Sequence, residues 1–401
     1  MNNDNKLIPQ YRFPEFKDDG RWDVDVVNNL IKTTTPPKKL NSNEYLKEGR
    51  YPIVDQSKNF YCGYSNDKEA LISPENDLIV FGDHTCITKY INHPFIQGAD
   101  GIKIFSTRKS VLPNYFYQFL QYSPVKQEEY KRHFSILKDK IISYPTNPAE
   151  QQKIAACLSG LDDVIVGHEE KLTALEEHKK GLMQNFFPQK GETQPRYRFP
   201  EFLKEGDWDV SELENISLNI MVGIASAATH AYRCSGIVLF RNQNIKRGYL
   251  DDSDILFIEE EYEKSHRNKR LKAGDLLTAR TGYPGTTCVV PEKYEGSQSF
   301  TTLITRPDKK IINSYFLSYY INSDIGQEFF ETKKIGGGQK NVNATTLAKM
   351  PILYPNLKEQ QKITSVLSSV DELIVAQQEK IEALKEHKKG LMQGLFPKIE
   401  S

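Results

Sequence analysis

Two stretches of the chain carry apolar residues in steps of four and three. In the first they fall at Ile154, Leu158, Leu161 and Ile165, then at Leu172, Leu175, Leu182 and Phe186. In the second they fall at Ile363, Leu367, Val370 and Ile374, then at Ile381, Leu384, Leu391 and Leu395. This is a heptad seam sustained over several repeats, the pattern of a coiled coil. Polar residues interrupt it at matched slots, His168 and Lys179 in one stretch and Gln377 and Lys388 in the other. Polar residues inside a seam specify register, and these four are expected to do so. Pro148 suits a first helical turn, where its missing N–H costs nothing. At ~1.5 Å per residue each helix spans about 60 Å. Helices so alike are expected to pair antiparallel, with a pseudo-twofold axis and a variable region at each end of a rigid rod.

Elsewhere the pattern is shorter in period. "NDLIVFG" (76–82) and "GDLLTARTG" (274–282) read as corresponding strands that end in a glycine turn, and "IKIF" (102–105) and "TTLIT" (301–305) as core strands. "NYFYQFLQY" (114–122) and "SYFLSYYIN" (314–322) read as amphipathic helices with aromatics facing a core. Each variable region is therefore predicted to be an α+β unit.

Whole phrases recur in register. "YRFPEF" stands at 11–16 and 197–202, each followed by "WDV", at 22–24 and 208–210. "EQQKI" stands at 150–154 and 359–363, and "LEEHKKGLMQNFFP" (175–188) returns as "LKEHKKGLMQGLFP" (384–397). The order is variable region, helix, variable region, helix, which is a tandem repeat. "PQKGETQPR" (188–196) reads as a linker.

Composition narrows the class without naming it. The 401 residues are 38% hydrophobic and 26% charged, as in an ordinary globular protein. No apolar run approaches the ~18 residues that span a bilayer, and the N-terminal "MNNDNKLIPQ" has no signal-peptide pattern. The five cysteines are far apart and form no CxxC pair, so reduced thiols and a cytoplasmic location are expected. Net charge is zero, but 148–188 and 358–397 hold thirteen acids against ten bases, which leaves the rest of the chain basic by three.

Polar loops rich in Arg, Lys, Asn and Gln could read base edges and grip phosphates. In the first half the candidates are Lys58, Asn59, His84, Thr85, Lys89, Lys131, Arg132, His133 and Lys138. In the second they are Arg241, Asn242, Asn244, Lys246, Arg280, Gln339, Lys340 and Asn341. Any one such loop is ordinarily just solvated; their clustering in both halves favours a DNA face. Catalytic signatures are missing. "GGGQKNVNATT" lacks the GxxxxGKS/T spacing of a phosphate loop, and there is no HExxH, no GxSxG and no adenine-methyltransferase "NPPY". Asp308, Glu331 and Lys333 fit the letters of a PD…ExK nuclease, but they fall in a turn and at a helix end rather than on adjacent strands. No catalytic residue and no metal site is expected.

Taken together, the "YRFPEF…W" openings, the two "EQQKI…EHKKGLMQ" helices and texts such as "FGDHTCITKYINHPFIQGADGIKIF" (81–105) resemble the specificity (S) subunits of type I restriction–modification systems, over essentially the whole chain. The resemblance implies two tandem α+β target-recognition domains, at 1–146 and 197–355. Spacer helices at 147–188 and 356–398 and a linker at 189–196 would complete the chain, the helices forming an antiparallel coiled coil in a pseudo-twofold repeat. It further implies that each domain reads half of a bipartite site in double-stranded DNA, while the helices set the gap and dock two methyltransferase (M) subunits. Restriction (R) motor-nuclease subunits would join them. S-adenosylmethionine would sit in the M subunits, with no cofactor in this chain, no chemistry of its own and no membrane partner. The rival reading is a coiled-coil interaction scaffold with two binding domains, distinguishable by salt-dependent DNA binding.

Overall fold

A computed structural model of the chain describes residues 7–99, 101–128, 132–226, 228–332 and 342–398. Two compact units emerge: Met1–Glu170 with Gln378–Ser401, and Lys171–Gln377. Both long helices, Pro148–Phe186 and Leu357–Leu395, contribute to each unit, so the division runs through them.

The first unit is built on a four-stranded antiparallel sheet in the order Ile31–Thr34, Ile102–Thr107, Leu78–Gly82, Thr88–Ile91. Its second sheet runs Gly63–Ser65, Tyr51–Val54, Phe95–Gln97, Leu71–Ile72, with one parallel pair, Ile53 opposite Ile96. The second unit repeats the plan. Its antiparallel sheet runs Ser217–Val222, Leu303–Pro307, Leu276–Thr278, Thr287–Val289. Its companion sheet runs Tyr232–Arg233, Leu256–Ile258, Ile237–Phe240, Gln298–Ser299, and here the parallel pair, Leu239 opposite Gln298, lies at the edge. In each unit the "WDV" phrase begins a short ribbon that closes the domain: Asp23 lies opposite Tyr144, and Asp209 opposite Tyr354.

The repeated helix openings have a structural cause. Asn147 and Asn356 cap the two long helices, accepting from Ala149 N at 3.0 Å and Lys358 N at 3.0 Å, one residue past the position that proline or leucine takes. Glu150 is 1% exposed and meets Arg12 of "YRFPEF" through two hydrogen bonds of 2.8 Å; Glu359 and Arg198 do the same at 2.9 and 2.8 Å. A buried carboxylate is tolerated only with such a bidentate partner. The next residue pins the α+β domain itself. The Gln151 amide donates to Ser110 O and Pro145 O and accepts from Leu112 N, each at 2.8 Å, and Gln360 repeats this with Ile311 O, Pro355 O and Asn313 N. "EQQKI" is thus a clamp between helix and domain.

The ends of the helices cross over between the repeats. Phe187, which closes the first repeat, packs at 5.5 Å on Phe316 and 5.8 Å on Tyr320 of the second domain. Phe396, which closes the second, packs on Tyr115 and Phe119 at 5.7 Å and stacks on Tyr122 at 5.0 Å in the first. The receiving helices, Pro113–Tyr122 and Ser314–Asn322, bury Tyr115, Phe116, Phe119 and Leu120, and Phe316, Leu317, Tyr320 and Ile321. That i, i+1, i+4, i+5 spacing is one helical face. Burying a phenylalanine contributes roughly 2–3 kcal/mol.

Within each unit the two long helices run antiparallel. Asp162 and Glu169 ascend one helix while their partners Lys388 and Lys385 descend the other. Every seam residue is buried or half-buried. Lys388 and Lys179 do not sit idle in the seam. Each reaches an aspartate on the facing helix, Asp162 and Asp371, at 2.5 Å. Those aspartates also accept from the α+β domains, from Gln118 Nε2 at 3.0 Å and from Tyr319 Oη at 2.6 Å.

Candidate nucleic-acid interface

In the first unit three polar segments meet at one edge: the loop after strand Tyr51–Val54, the turn after Leu78–Gly82, and the segment that enters helix Phe134–Asp139. Gln56 joins the first two. Its carbonyl accepts from Thr85 Oγ1 at 2.9 Å and its side-chain oxygen from His84 N at 3.4 Å. A side chain on Gly82 or on Gly101 (φ +104°) would collide with this junction, so both positions require glycine. The third segment is tied in by Asp83, whose carbonyl accepts from His133 N at 3.0 Å and whose carboxylate accepts from Phe134 N at 2.8 Å.

The second unit assembles the same edge from different residues. The loop after strand Ile237–Phe240 carries Arg241, Asn242, Asn244 and Lys246. The turn after Leu276–Thr278 carries Arg280 and Tyr283. Asn242 stands two residues past its strand, as Gln56 does, and its Oδ1 accepts from Arg280 N at 2.6 Å. Gly248 N donates to Thr287 O at 3.0 Å, and the third segment arrives with Val342 N on Arg280 O at 3.3 Å.

Most of the candidate residues thus lie on two edges of one design. Lys58, Asn59, His84 and Arg132 are exposed on the first, and Thr85 and Lys138 are half-buried. The Lys138 ammonium lies 5.8 Å from the Phe134 ring. On the second, Asn242, Lys246 and Arg280 are half-buried; Arg241 is half-buried too and pairs with Asp254 at 2.8 Å. Lys131, Gln339, Lys340 and Asn341 lie outside the described residues.

Three candidates are corrected, because their polar groups face inward and are consumed there. Lys89 is 4% exposed, and its ammonium donates to Asp55 O at 2.8 Å, Asn59 O at 2.6 Å and Phe60 O at 3.3 Å. Burial pushes its pKa down from the ordinary lysine value. It shapes from within the loop that carries Lys58 and Asn59. His133 is 1% exposed; its Nε2 accepts from Glu128 N at 2.8 Å while Nδ1 lies 2.9 Å from Asp83 O. Asn244 is 2% exposed, accepts from Arg241 N and donates to Asp251 O and Asp254 O. Residue type alone does not distinguish a lysine that grips a loop from within from one that leaves it.

Two residues at these edges lie inside polar loops that the sequence offers, "DQSKN" (55–59) and "ARTGYPG" (279–285), but are not among the residues singled out there. Gln56 stands two past a strand end, where the other repeat also carries an amide. Tyr283 is 85% exposed at the tip of its turn, and nothing in "ARTGYPG" but the flanking glycines marks it as outward. Of the nuclease letters, the Asp308 carboxylate closes a turn on Lys310 N at 3.0 Å, Glu331 belongs to helix Asp324–Thr332, and Lys333 lies outside the described residues.

The type I restriction modification DNA specificity domain matches this sequence twice, over residues 24–177 and 207–386. The chain belongs to that family. Each match begins at a "WDV" ribbon and runs through one recognition domain into a long helix, so the family unit is the repeat itself. The chain is 24% identical over 418 residues to the type I restriction enzyme MjaVIII specificity subunit of Methanocaldococcus jannaschii, covering 94% of this chain and 92% of the relative. An MjaX relative from the same organism is 29% identical over 201 residues, 48% of this chain and 46% of the other. The fold matches the crystal structure of a type I restriction–modification S subunit from M. genitalium with a TM-score of 0.63 at 12% identity, over 98% of this chain and 100% of that one. The chain is therefore a type I specificity subunit with two α+β recognition domains and two long helices. Among the described residues no helix is long and apolar enough to cross a membrane.

Proposed function

We propose that each polar edge reads one half of a two-part target in duplex DNA, and that the paired helices set the unspecified gap between the halves. The observation that carries this is the recurrence of the three-segment edge in both units, on matching strands but with different side chains. A common frame with different side chains suits two half-sites of different sequence. Specificity would come from the exposed side chains of the loops and turns, supported from below by Lys89, Gln56 and Asn242.

The helices would also hold two methyltransferase subunits, since the repeated phrases present like surfaces for like partners. Those partners would hold S-adenosylmethionine and carry out adenine methylation, with motor-nuclease subunits joining for restriction. This chain would supply the address and no chemistry of its own.

The test is genome-wide adenine-methylation mapping in the native host, with and without the gene. Loss of a single two-part motif on deletion is expected. Retention of every motif in a strain whose partner methyltransferase co-purifies with this chain would sink the proposal.

A further inference from the structure

Tyr283 is 85% exposed, the most of any large apolar or aromatic side chain among the described residues. It is not held out by a loose loop. Its turn is closed by Ala279 N on Thr286 O at 2.8 Å, Gly285 N on Ala279 O at 3.0 Å and Thr286 N on Tyr283 O at 3.2 Å. Gly282 and Gly285 take φ of +77° and +93°, which favours glycine, and the Phe330 ring fills the space where a Gly285 side chain would stand. Gln327 Nε2 donates to Gly285 O at 3.2 Å and fixes the turn from behind. The fold therefore invests a built, glycine-dependent turn in aiming one aromatic ring at solvent.

The surroundings say what would cover it. Arg280 opens the same turn, and the adjoining loop brings Arg241, Lys246 and Arg247, with Asp251 and Asp254 engaging Lys246 and Arg241. Tyr249, 61% exposed, follows Gly248, whose N–H bonds the Thr287 carbonyl beside the turn. Aromatic faces interleaved with Arg280, Arg247 and the aspartate-paired Arg241 and Lys246 suit a ligand whose flat faces alternate with anions, which describes a nucleic acid and not an apolar protein surface.

We propose that Tyr283 stacks on a base of the half-site that the second unit reads, at a step opened in the bound duplex. This rests on the DNA-reading role proposed above. A stack within closed B-DNA offers no free base face. The opening would come with the extrusion of the base to be modified, or with a kink that the ring itself wedges. Because the turn is preformed and tyrosine has few rotors, ordering the ring on binding costs little.

The experiment uses the full-length chain in complex with its co-expressed methyltransferase partner and a fluorescein-labelled duplex carrying the motif found by methylation mapping. Y283A is expected to weaken binding about 5- to 150-fold, the range of one base–aromatic stack. The slope of log affinity against log salt should stay unchanged, because no phosphate contact is lost. Y283F, which keeps the ring, is expected to bind like the wild type. Thermal unfolding of both should match the wild type, since the side chain packs on so little. Y283A binding as the wild type does would overturn the inference. So would Y283F weakening as much as Y283A, which would assign the role to the hydroxyl. A wild-type complex that binds no duplex would overturn the DNA-reading role and this inference with it.

Discussion

Lys388 closes on Asp162 across the helix pair of the first unit, Nζ to Oδ1 at 2.5 Å. Lys179 and Asp371 make the matching pair in the second unit, also at 2.5 Å, with the Lys179 ammonium 5.5 Å from the Tyr319 ring. Each lysine occupies a seam slot that would otherwise be apolar, so the pair aligns the helices as well as holding them. Asp162 is 37% exposed, which puts the pair nearer the surface limit than the buried one. K388M, which keeps the stem, is expected to cost about 1 kcal/mol. A double-mutant cycle of K388M with D162N, read by urea unfolding, should show coupling. Strict additivity would mean that the pair contributes nothing.

Phe396 should matter most to the domain that lies furthest from it in sequence. F396A removes a ring that touches Tyr115, Phe119 and Tyr122. Emptying such a site costs about 3–5 kcal/mol. Hydrogen exchange should quicken in Pro113–Tyr122 more than in Ser314–Asn322, and F187A should reverse the order. Equal effects in both helices would contradict the crossed packing.

Acid should weaken the second unit through Glu263. This carboxylate is 1% exposed, accepts from Arg270 Nε and Nη2 at 2.5 Å each, and from Gln298 Nε2 at 2.9 Å. The Arg270 hydrogen bonds hold its pKa below the ordinary 4.5, against the opposing effect of burial. A folded-state pKa below the unfolded one gives stability that is fully present above 4.5 and lost as pH falls through the folded value. E263Q is expected to cost about 1–2 kcal/mol at neutral pH. The gap between wild type and variant should narrow as pH drops below 4.5. A gap that stays constant into acid would refute the assignment.

What the sequence makes legible follows from how local each signal is. The helices were readable because a heptad seam repeats every few residues, and the strands "NDLIVFG" and "IKIF" because each forms a short apolar run. The crossed docking of Phe187 and Phe396 was not, because it depends on which distant domain receives each ring. The inward turn of Lys89, His133 and Asn244 was hidden too. Their partners are backbone carbonyls and N–H groups, which leave no trace in residue type. Gln56 and Tyr283 are ordinary residues made special by a junction and a turn that exist only once the sheets have formed.

If the helices set the gap, their length should be readable in the DNA. Inserting seven residues at matched positions, after Gly167 and after Ala376, preserves the seam phase and adds about 10 Å to each helix. The half-sites found by methylation mapping should be unchanged, while the gap between them lengthens. Methylation of the original motif with its original gap would count against the helices as a ruler.

Tyr11 N donates to Gly394 O at 2.8 Å, and Tyr197 N donates to Asn185 O at 3.0 Å. The two bonds join matched residues, the start of "YRFPEF" and the residue after "GLMQ", once across the short linker and once with both repeats between them. In the second unit the linker adds contacts of its own, Lys190 with Glu328 at 2.5 Å and Gln194 with Asp207, but the Arg12–Glu150 and Arg198–Glu359 clamps hold both opening phrases alike, with the linker or without it. A circular permutant that joins Pro397 to Tyr11 through a copy of "QKGETQPR", and opens between Gly191 and Glu192, should fold with the same circular-dichroism spectrum. Its unfolding free energy in urea should fall within about 1 kcal/mol of the parent, because only loop-closure terms change. In complex with the methyltransferase partner it should direct methylation to the same two-part motif. A permutant that folds but changes one half-site would mean that the linker orients a reading edge, and one that fails to fold would mean that the linker, not the clamps, holds the two repeats in order.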